Sequence, residues 1–576
     1  MSALPEPLSN PSSHPVQGRS IPRSPTVTVR RGDRVDQVPT GTRVGALLPR
    51  EVGGVLVVAG LLGQKPISLA TPLVADASLA PLTTEHWEGR RIYARTVALV
   101  LLEAARRLWP ECVVRLGPSR GRTQVVACEG AAPAPLPALA GRLAAEMARV
   151  AAEDLPIRHE TWMVEEAICL FEQRGWTDAA GLLRHRRENT VPLVACGEIY
   201  AIGMGPMLPS TAEVRGFALT AGENHLLLDL GARDPRNGVK SVAAAEASED
   251  SMERAHEAWL EAMRLRSVGD FGEACVTGQV SQLINVAEGF HEKRIGQIAD
   301  AVAAAGDRVR IIAVAGPSSS GKTTFIRRLR VQLQIDGKNP VGLSLDDYYV
   351  DREKTVRGPD GEFDFEALEA LDLRLLQDHV RRLLAGEAVR TARYDFKTGR
   401  SHPDGGPPLQ LQRGDVLMME GIHGLNPALL GDIPASGELY RVFVHPATTL
   451  AFDRLSRVSA TDLRLLRRIV RDRHHRGYSA ADNILRWPSV QAGERRHIFP
   501  YQAEADTVFD SSLIYEPAVL KVYAERYLLE VPQSHPAFPT AHRLRLLIDQ
   551  FVSIYPDHVP PTSLLREFIG GSGFEY

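Results

Sequence analysis

The chain has 576 residues, 44% of them hydrophobic and 24% charged, with a formal net charge of -3. That is the make-up of a globular protein of roughly three or four domains, and so small a net charge excludes a global field steering the whole chain to nucleic acid or a membrane surface. Its five cysteines stand far apart without CxxC spacing, which argues against a disulfide framework or a cysteine zinc site and for a reducing, cytoplasmic compartment.

Residues 1–24, rich in Pro and Ser and lacking an apolar core, read as a disordered tail and not as a leader. Short β-like runs, VTVRRGDRV and VGGVLVVAG, predict a small β-rich module over 25–87. VALVLLEAARRLWP (97–110) predicts a helix stopped by a proline. AAPAPLP (131–137) reads as a loop, LAGRLAAEMARVAAED as a second helix, and strands resume at VPLVACGEIYAIGMG (191–205). Two helical runs, about 241–266 and 279–305, read as a connector over 233–305. From Arg308 apolar strands alternate with amphipathic helices, which predicts a parallel α/β sheet over 306–530, followed by an extension over 531–576. No apolar run approaches the ~18 residues of a membrane span, so no membrane partner is expected.

RVRIIAVAG reads as a buried strand, GPSSSGKT (316–323) follows it, and TTFIRRLRVQLQIDG is a helix ended by Gly337. Strand, GxxxxGK[ST] and helix together make a phosphate-binding loop. Its glycines let backbone amides approach phosphates, and the helix N-terminus adds a favourable dipole. Gly316, Pro317, Ser318, Ser319, Ser320, Gly321, Lys322, Thr323 and Thr324 are therefore the expected ATP-binding residues. Lys322 supplies a cation to the β- and γ-phosphates, and Thr323 a hydroxyl for Mg²⁺. DVLMM (415–419) ends in Glu420, where such enzymes hold their metal, so Thr323 and Glu420 are the expected metal site; a helix cap or surface carboxylate is the plainer alternative.

VGLSLDDYY (341–349) reads as a third strand ending in two carboxylates. Strand C-termini line the ligand crevice of an open parallel sheet, so Asp346 is the expected base for an attacking hydroxyl, with Asp347 turned away. GEFDFEALEALD (361–372) sets Asp364 between two phenylalanines, which suits a sugar diol as well as a simple helix cap. RYDFKTGR (393–400) adds Tyr394 and Phe396, a pair that can equally be core. In ATDLRLLRRIVRDRHHRG (460–477), Arg464, Arg467, Arg468 and Arg471 fall at i, i+3, i+4 and i+7 on one stripe. Such charges repel unless an anion lies against them, so the segment reads as a lid closing on a triphosphate, with a solvated face or an RNA-binding face as alternatives.

GPSSSGKTTF, LDDYY, FDFEALEALD, YDFKTG, EGIHGLN and RLLRRIVRD, in this order over about 306–530, resemble the uridine kinase and phosphoribulokinase group of P-loop kinases. The resemblance implies ATP- and Mg²⁺-dependent phosphorylation of a nucleoside 5′-hydroxyl. It implies catalytic roles for Asp346, Lys322, Arg464 and Arg467, ATP contact by Arg468, and substrate contacts from Tyr349, Phe363, Asp364, Tyr394 and Phe396, with Thr323 and Glu420 at the metal. One departure stands out: Gly399 falls where uridine kinases carry a base-reading histidine. It offers no side-chain donor and is expected to leave open space, and so a tolerant base pocket.

VTVRRGDRVDQVPTGTRVGALLP resembles a TGS β-grasp module. GRRIYARTVALVLLEAARRLWPECVVRLGP and MGPMLPST resemble the editing domain of threonyl-tRNA synthetases, over 88–232. Arg95, Leu99, Gly203 and Met207 stand where that site has its histidines and cysteine, so its chemistry is expected to be lost while an RNA contact remains open. The alternatives to a nucleoside kinase are an ATP-switched, RNA- or ribosome-associated binding protein and a kinase of another small hydroxyl compound.

Overall fold

The computed structural model describes residues 24–575 apart from 121–122, 130–134, 223, 231–257, 359–360, 362, 434–436 and 448. Residues 1–23 of the expected tail and most of the first connector helix lie outside the described residues.

Residues 26–83 form one six-stranded sheet. Thr26–Arg31 pairs antiparallel with Arg34–Pro39 and parallel with Ala77–Thr83, which pairs antiparallel with Val55–Leu62. Alternate residues of the first strand, Val27 and Val29, face a private core with Val44, Leu73 and Leu79, as a half-buried strand requires.

Helix α1 (Trp87–Leu108) follows, capped by His86, whose side chain accepts from the Glu88 amide. It is buried continuously from Thr96 to Ala105 because strands of all three N-terminal sheets pack on it, and a helix enclosed on all sides reads apolar all round. Leu99 and Met207 lie fully buried in this core. A Cβ on Gly203 would lie 2.8 Å from the Pro192 carbonyl oxygen, and Arg95 Nη1 donates to the Met204 carbonyl at 2.8 Å. None of the four is an imidazole or thiol.

Helix α2 (Val280–Ala304) leads into the parallel sheet. Its elements in chain order are β1 (Ile311–Ala315), α3 (Lys322–Ile335), β2 (Asn339–Ser344), β3 (Asp415–Glu420), β4 (Leu439–His445), α4 (Ala460–His475), α5 (Ala480–His497) and β5 (Thr507–Asp510). The five strands run in the order β2-β3-β1-β4-β5, all parallel. Every residue of β1 is buried, the reason its sequence is a continuous apolar run and not an alternation. Register places both Val314 and Ser344 opposite Glu420, so the phosphate loop, Glu420 and the Asp346 segment leave the sheet at one edge. The expected strand through 341–349 stops at Ser344, and Leu345–Tyr348 is a 3-10 turn. Its neighbour β3 ends at Glu420, so no ladder partner remains for the backbone beyond that point.

Helix α6 (Phe538–Ile548) returns to the N-terminal half. Arg543 pairs with both Glu88 and Asp462 at 2.7 Å, and Arg91 pairs with Asp462 at 2.8 Å. One apolar cluster runs through α1, α2, β1, α4 and α6, so the N-terminal half, the connector and the sheet share a core. Among the described residues no helix is long and apolar enough to cross a membrane.

Candidate active site

The loop after β1 is built on conformations few side chains tolerate. A Cβ on Gly316 would lie 2.0 Å from the Val444 carbonyl oxygen, so only glycine lets the loop lie against β4. Ser319 and Gly321 take φ values of 58° and 89°, turning the chain sharply into α3. Lys322 Nζ curls back to donate to the Gly316 and Pro317 carbonyls at 2.9 and 3.1 Å. Thr323 Oγ1 donates to Glu420 Oε1 at 2.7 Å. Burial pushes the Glu420 carboxyl up, while the Thr323 hydrogen bond and the Lys322 charge draw it down. These two oxygens suit a hard divalent cation that takes its remaining ligands from phosphate and water; among the described residues no group of three His, Cys, Asp or Glu side chains forms a complete protein cage.

The arginines of α4 are not an open lid. Arg467 is wholly buried, bidentate on Glu516 at 2.7 and 2.8 Å, and donates to the Ser319 and Ser320 carbonyls at 3.4 and 3.2 Å. Arg464 pairs with buried Glu494 and donates to the Ser318 carbonyl at 2.9 Å. Arg468 donates to Ser318 Oγ and Asn483 Oδ1 at 2.9 and 3.0 Å, and Arg471 to Asp472 at 2.9 Å. The repulsion along the stripe is relieved by Glu494 and Glu516 on neighbouring elements and by Asp472 on α4 itself. These side chains hold the phosphate loop from beneath by its carbonyls, and all three nitrogens of Arg467 are already engaged within the protein. The acids that balance Arg464 and Arg467 lie 30 and 49 residues further along the chain, which hid those pairings.

Asp346 stands at the surface of the crevice beside Lys322; the surrounding protein pushes its carboxyl up, and the Lys322 charge offsets only part of that rise. Asp347 turns the other way and accepts from the Tyr394 amide at 3.4 Å. Tyr349, Tyr394 and Phe396 form one aromatic group, with centroids 5.6 Å apart for the tyrosines and 5.0 Å for Tyr394 and Phe396. Phe396 is 61% exposed, a face open to a ligand. Phe363 packs with Phe365 and lies under the Arg357 guanidinium, 4.3 Å from its centroid.

Asp364 caps the Glu366 amide at 3.2 Å and holds Arg496 and His497 at 3.0 and 3.3 Å. His423 is buried next to His497, with ring centroids 6.4 Å apart. Burial, then the charge of His497, pushes it down to about 4, so its ring stays neutral near pH 7. Beside Gly399 there is no open space: a Cβ there would lie 2.8 Å from the Arg352 guanidinium, which donates to the Phe396 carbonyl at 2.9 Å. The sequence expectation of an empty base pocket is corrected accordingly. Arg352, Arg496 and His497 had no motif to announce them; only the fold brings them to the crevice.

Thr324 is occupied from the far end of the chain: its amide and hydroxyl both donate to Glu567 Oε2, at 3.1 and 3.0 Å. Leu564 lies against Gly321, 2.4 Å from where a Cβ would stand.

Glu366 sits among Glu494, Asp346, Arg468 and Lys322, and burial, then the charge of Glu494, pushes its carboxyl up to about 7. The folded protein therefore holds more protons than the unfolded chain between the ordinary value of 4.5 and about 7. Stability falls as pH rises through that window, and the loss is complete above it. Glu366→Gln is expected to raise Tm near pH 8 and to change it little near pH 4.5. Equal shifts at both pH values in a thermal melt would contradict this.

Residues 311–513 match the family model described as Phosphoribulokinase / Uridine kinase family. A uridine kinase from Lactobacillus johnsonii is 27% identical over 199 residues, covering 34% of this chain and 84% of that protein. A threonine–tRNA ligase from Symbiobacterium thermophilum is 29% identical over 191 residues, 32% of this chain, and matches in the N-terminal half. The chain spans only 29% of that ligase's length. A solved structure of a possible uridine kinase from Bacillus stearothermophilus aligns at 23% identity over 26% of this chain and 79% of its own, with a TM-score of 0.22. Residues 311–513, which hold the parallel α/β sheet and the phosphate loop, are thus similar to the phosphoribulokinase/uridine kinase family.

Proposed function

We propose that the chain is an ATP- and Mg²⁺-dependent kinase of a ribonucleoside 5′-hydroxyl. The observation that carries this reading is the position of Asp346, beside Lys322 on one side and Tyr349 on the other. A base between a phosphate loop and an aromatic pocket serves transfer to a ring-bearing alcohol. Asp346 orients the attacking hydroxyl and accepts its proton. Lys322 exchanges its two loop carbonyls for phosphate oxygens as charge develops there. Thr323 and Glu420 would hold Mg²⁺, which neutralises phosphate charge when bound. Phe396 offers an exposed π-face to the base, and buried Tyr394 packs edge-on against it.

Two refinements follow for the acceptor. Arg496 and His497 keep Asp364 satisfied without a diol, so losing the 2′-hydroxyl costs about one net hydrogen bond, about 2- to 10-fold in kcat/KM. Arg352 offers donors only, which favours bases presenting a carbonyl towards Gly399. Both are read from kcat/KM for uridine, cytidine, adenosine, guanosine, inosine and 2′-deoxyuridine with ATP-Mg²⁺. No monophosphate from any nucleoside would sink the reading; equal rates for uridine and 2′-deoxyuridine would remove only Asp364 from its role.

A further inference from the structure

Between the N-terminal half and the sheet half lies a cavity of about 2430 Å³, walled by α1 on one side and by the 455–459 segment and α5 on the other. The Arg91, Arg543, Glu88 and Asp462 network described above ties the two walls together, so the cavity is a fixed feature and not a gap between loosely tethered units.

Polar groups on opposite walls of this cavity are left unmatched. Arg95 spends Nη1 on the Met204 carbonyl, while its Nε and Nη2 are buried without a hydrogen-bond partner. Ser456 Oγ, on the facing wall, is also buried without a partner. Unmet buried donors are costly and seldom kept without a reason. The edge left open on Arg95 is the one that receives two oxygens of a single anion; in this same protein Arg467 uses its Nε and Nη2 to hold both oxygens of Glu516. Arg90 and Arg495 add positive charge from opposite walls, and the charge of Arg90 bears directly on Arg495. The Glu494 carboxylate acts on Arg495 and the buried Asp453 carboxylate on Arg95, so this positive charge is partly offset within the protein. A phosphate has two oxygens for the Arg95 edge and a third for the Ser456 hydroxyl. The cavity far exceeds a phosphate in volume, and Ile92 and Leu455 give it apolar wall.

We propose that this cavity binds a phosphate monoester of nucleotide size, gripped by the Nε–Nη2 edge of Arg95 and by Ser456. The grip does not depend on the kinase reading, because Arg95 and Ser456 lie outside the phosphate loop and the aromatic pocket, although the cavity's wall reaches Pro317 of that loop and Arg496.

The test is calorimetric titration of the full chain with uridine 5′-monophosphate, adenosine 5′-monophosphate and inorganic phosphate. Arg95→Lys keeps a cation and one donor for Met204 but removes the two-toothed edge; it is expected to weaken monophosphate binding about tenfold or more. Ser456→Ala, a milder change should Arg95→Lys fold poorly, is expected to weaken it about threefold or more. Asp364→Ala should leave this binding in place, and any component it removes belongs to the proposed acceptor pocket. Binding indifferent to both Arg95→Lys and Ser456→Ala would overturn the site. Inorganic phosphate binding as tightly as the monophosphates would overturn the assignment to a nucleotide-sized ligand. So would Arg95-dependent binding of a single-stranded RNA end without binding of either mononucleotide.

Discussion

Asp346→Asn is expected to lower kcat by about 10²–10⁴-fold, the usual worth of a positioned base, with little change in ATP affinity. The amide keeps the shape of the carboxylate and can still touch the acceptor hydroxyl, but it cannot take the proton. Asp346 is open to solvent in the crevice, so the substitution leaves no buried polar group unmatched and the fold should be undisturbed. Asp347→Asn is the control. Its carboxylate points to the Tyr394 amide and away from the loop, so kcat should fall severalfold at most. Steady-state kinetics on the two variants decide the matter, and the reverse order of effects would transfer the role to Asp347.

Lys322→Ala should reduce kcat/KM by at least about 10³-fold, because a cation aimed at developing phosphate charge in a screened site has no substitute in water. Stability should fall only modestly. The Gly316 and Pro317 carbonyls lose their donor, but the loop keeps its supports from Arg464, Arg467 and Arg468. A Tm close to wild type together with lost turnover is the expected pair of results. Near-native turnover would mean that phosphoryl transfer does not occur at this loop.

What could be read from the sequence, and what could not, divides along contact range. The phosphate loop was legible because its chemistry is contained in eight consecutive residues and depends on backbone shape. Thr323 and Glu420 are 97 residues apart, yet Glu420 ends a strand and Thr323 opens the helix after the neighbouring strand, and the parallel sheet brings such ends together at one edge. The arginine stripe was correctly spaced for one face of a helix, but the partners of Arg464 and Arg467 are Glu494 and Glu516, on other elements. Helical periodicity shows which residues share a face and is silent on what that face meets. Gly399 shows the same limit: the missing side chain is visible in the sequence, whereas Arg352 filling its place is a tertiary fact.

On the proposed function, the contact between Glu567 and Thr324 would make nucleotide capture a competition and not simply an addition. The first turn of α3 is where a phosphate loop receives phosphate, and in this state a carboxylate from the chain's own end already neutralises two of its donors. ATP would then bind with an affinity set by the difference between two anions, displacing the Glu567 segment. Residues 563–575 should exchange amide hydrogens faster with ATP present than without it. Glu567→Gln, which weakens the incumbent without removing its shape, should tighten ATP binding severalfold. Slower exchange on adding ATP, or weaker binding by the variant, would make this segment a partner of the nucleotide instead of its rival.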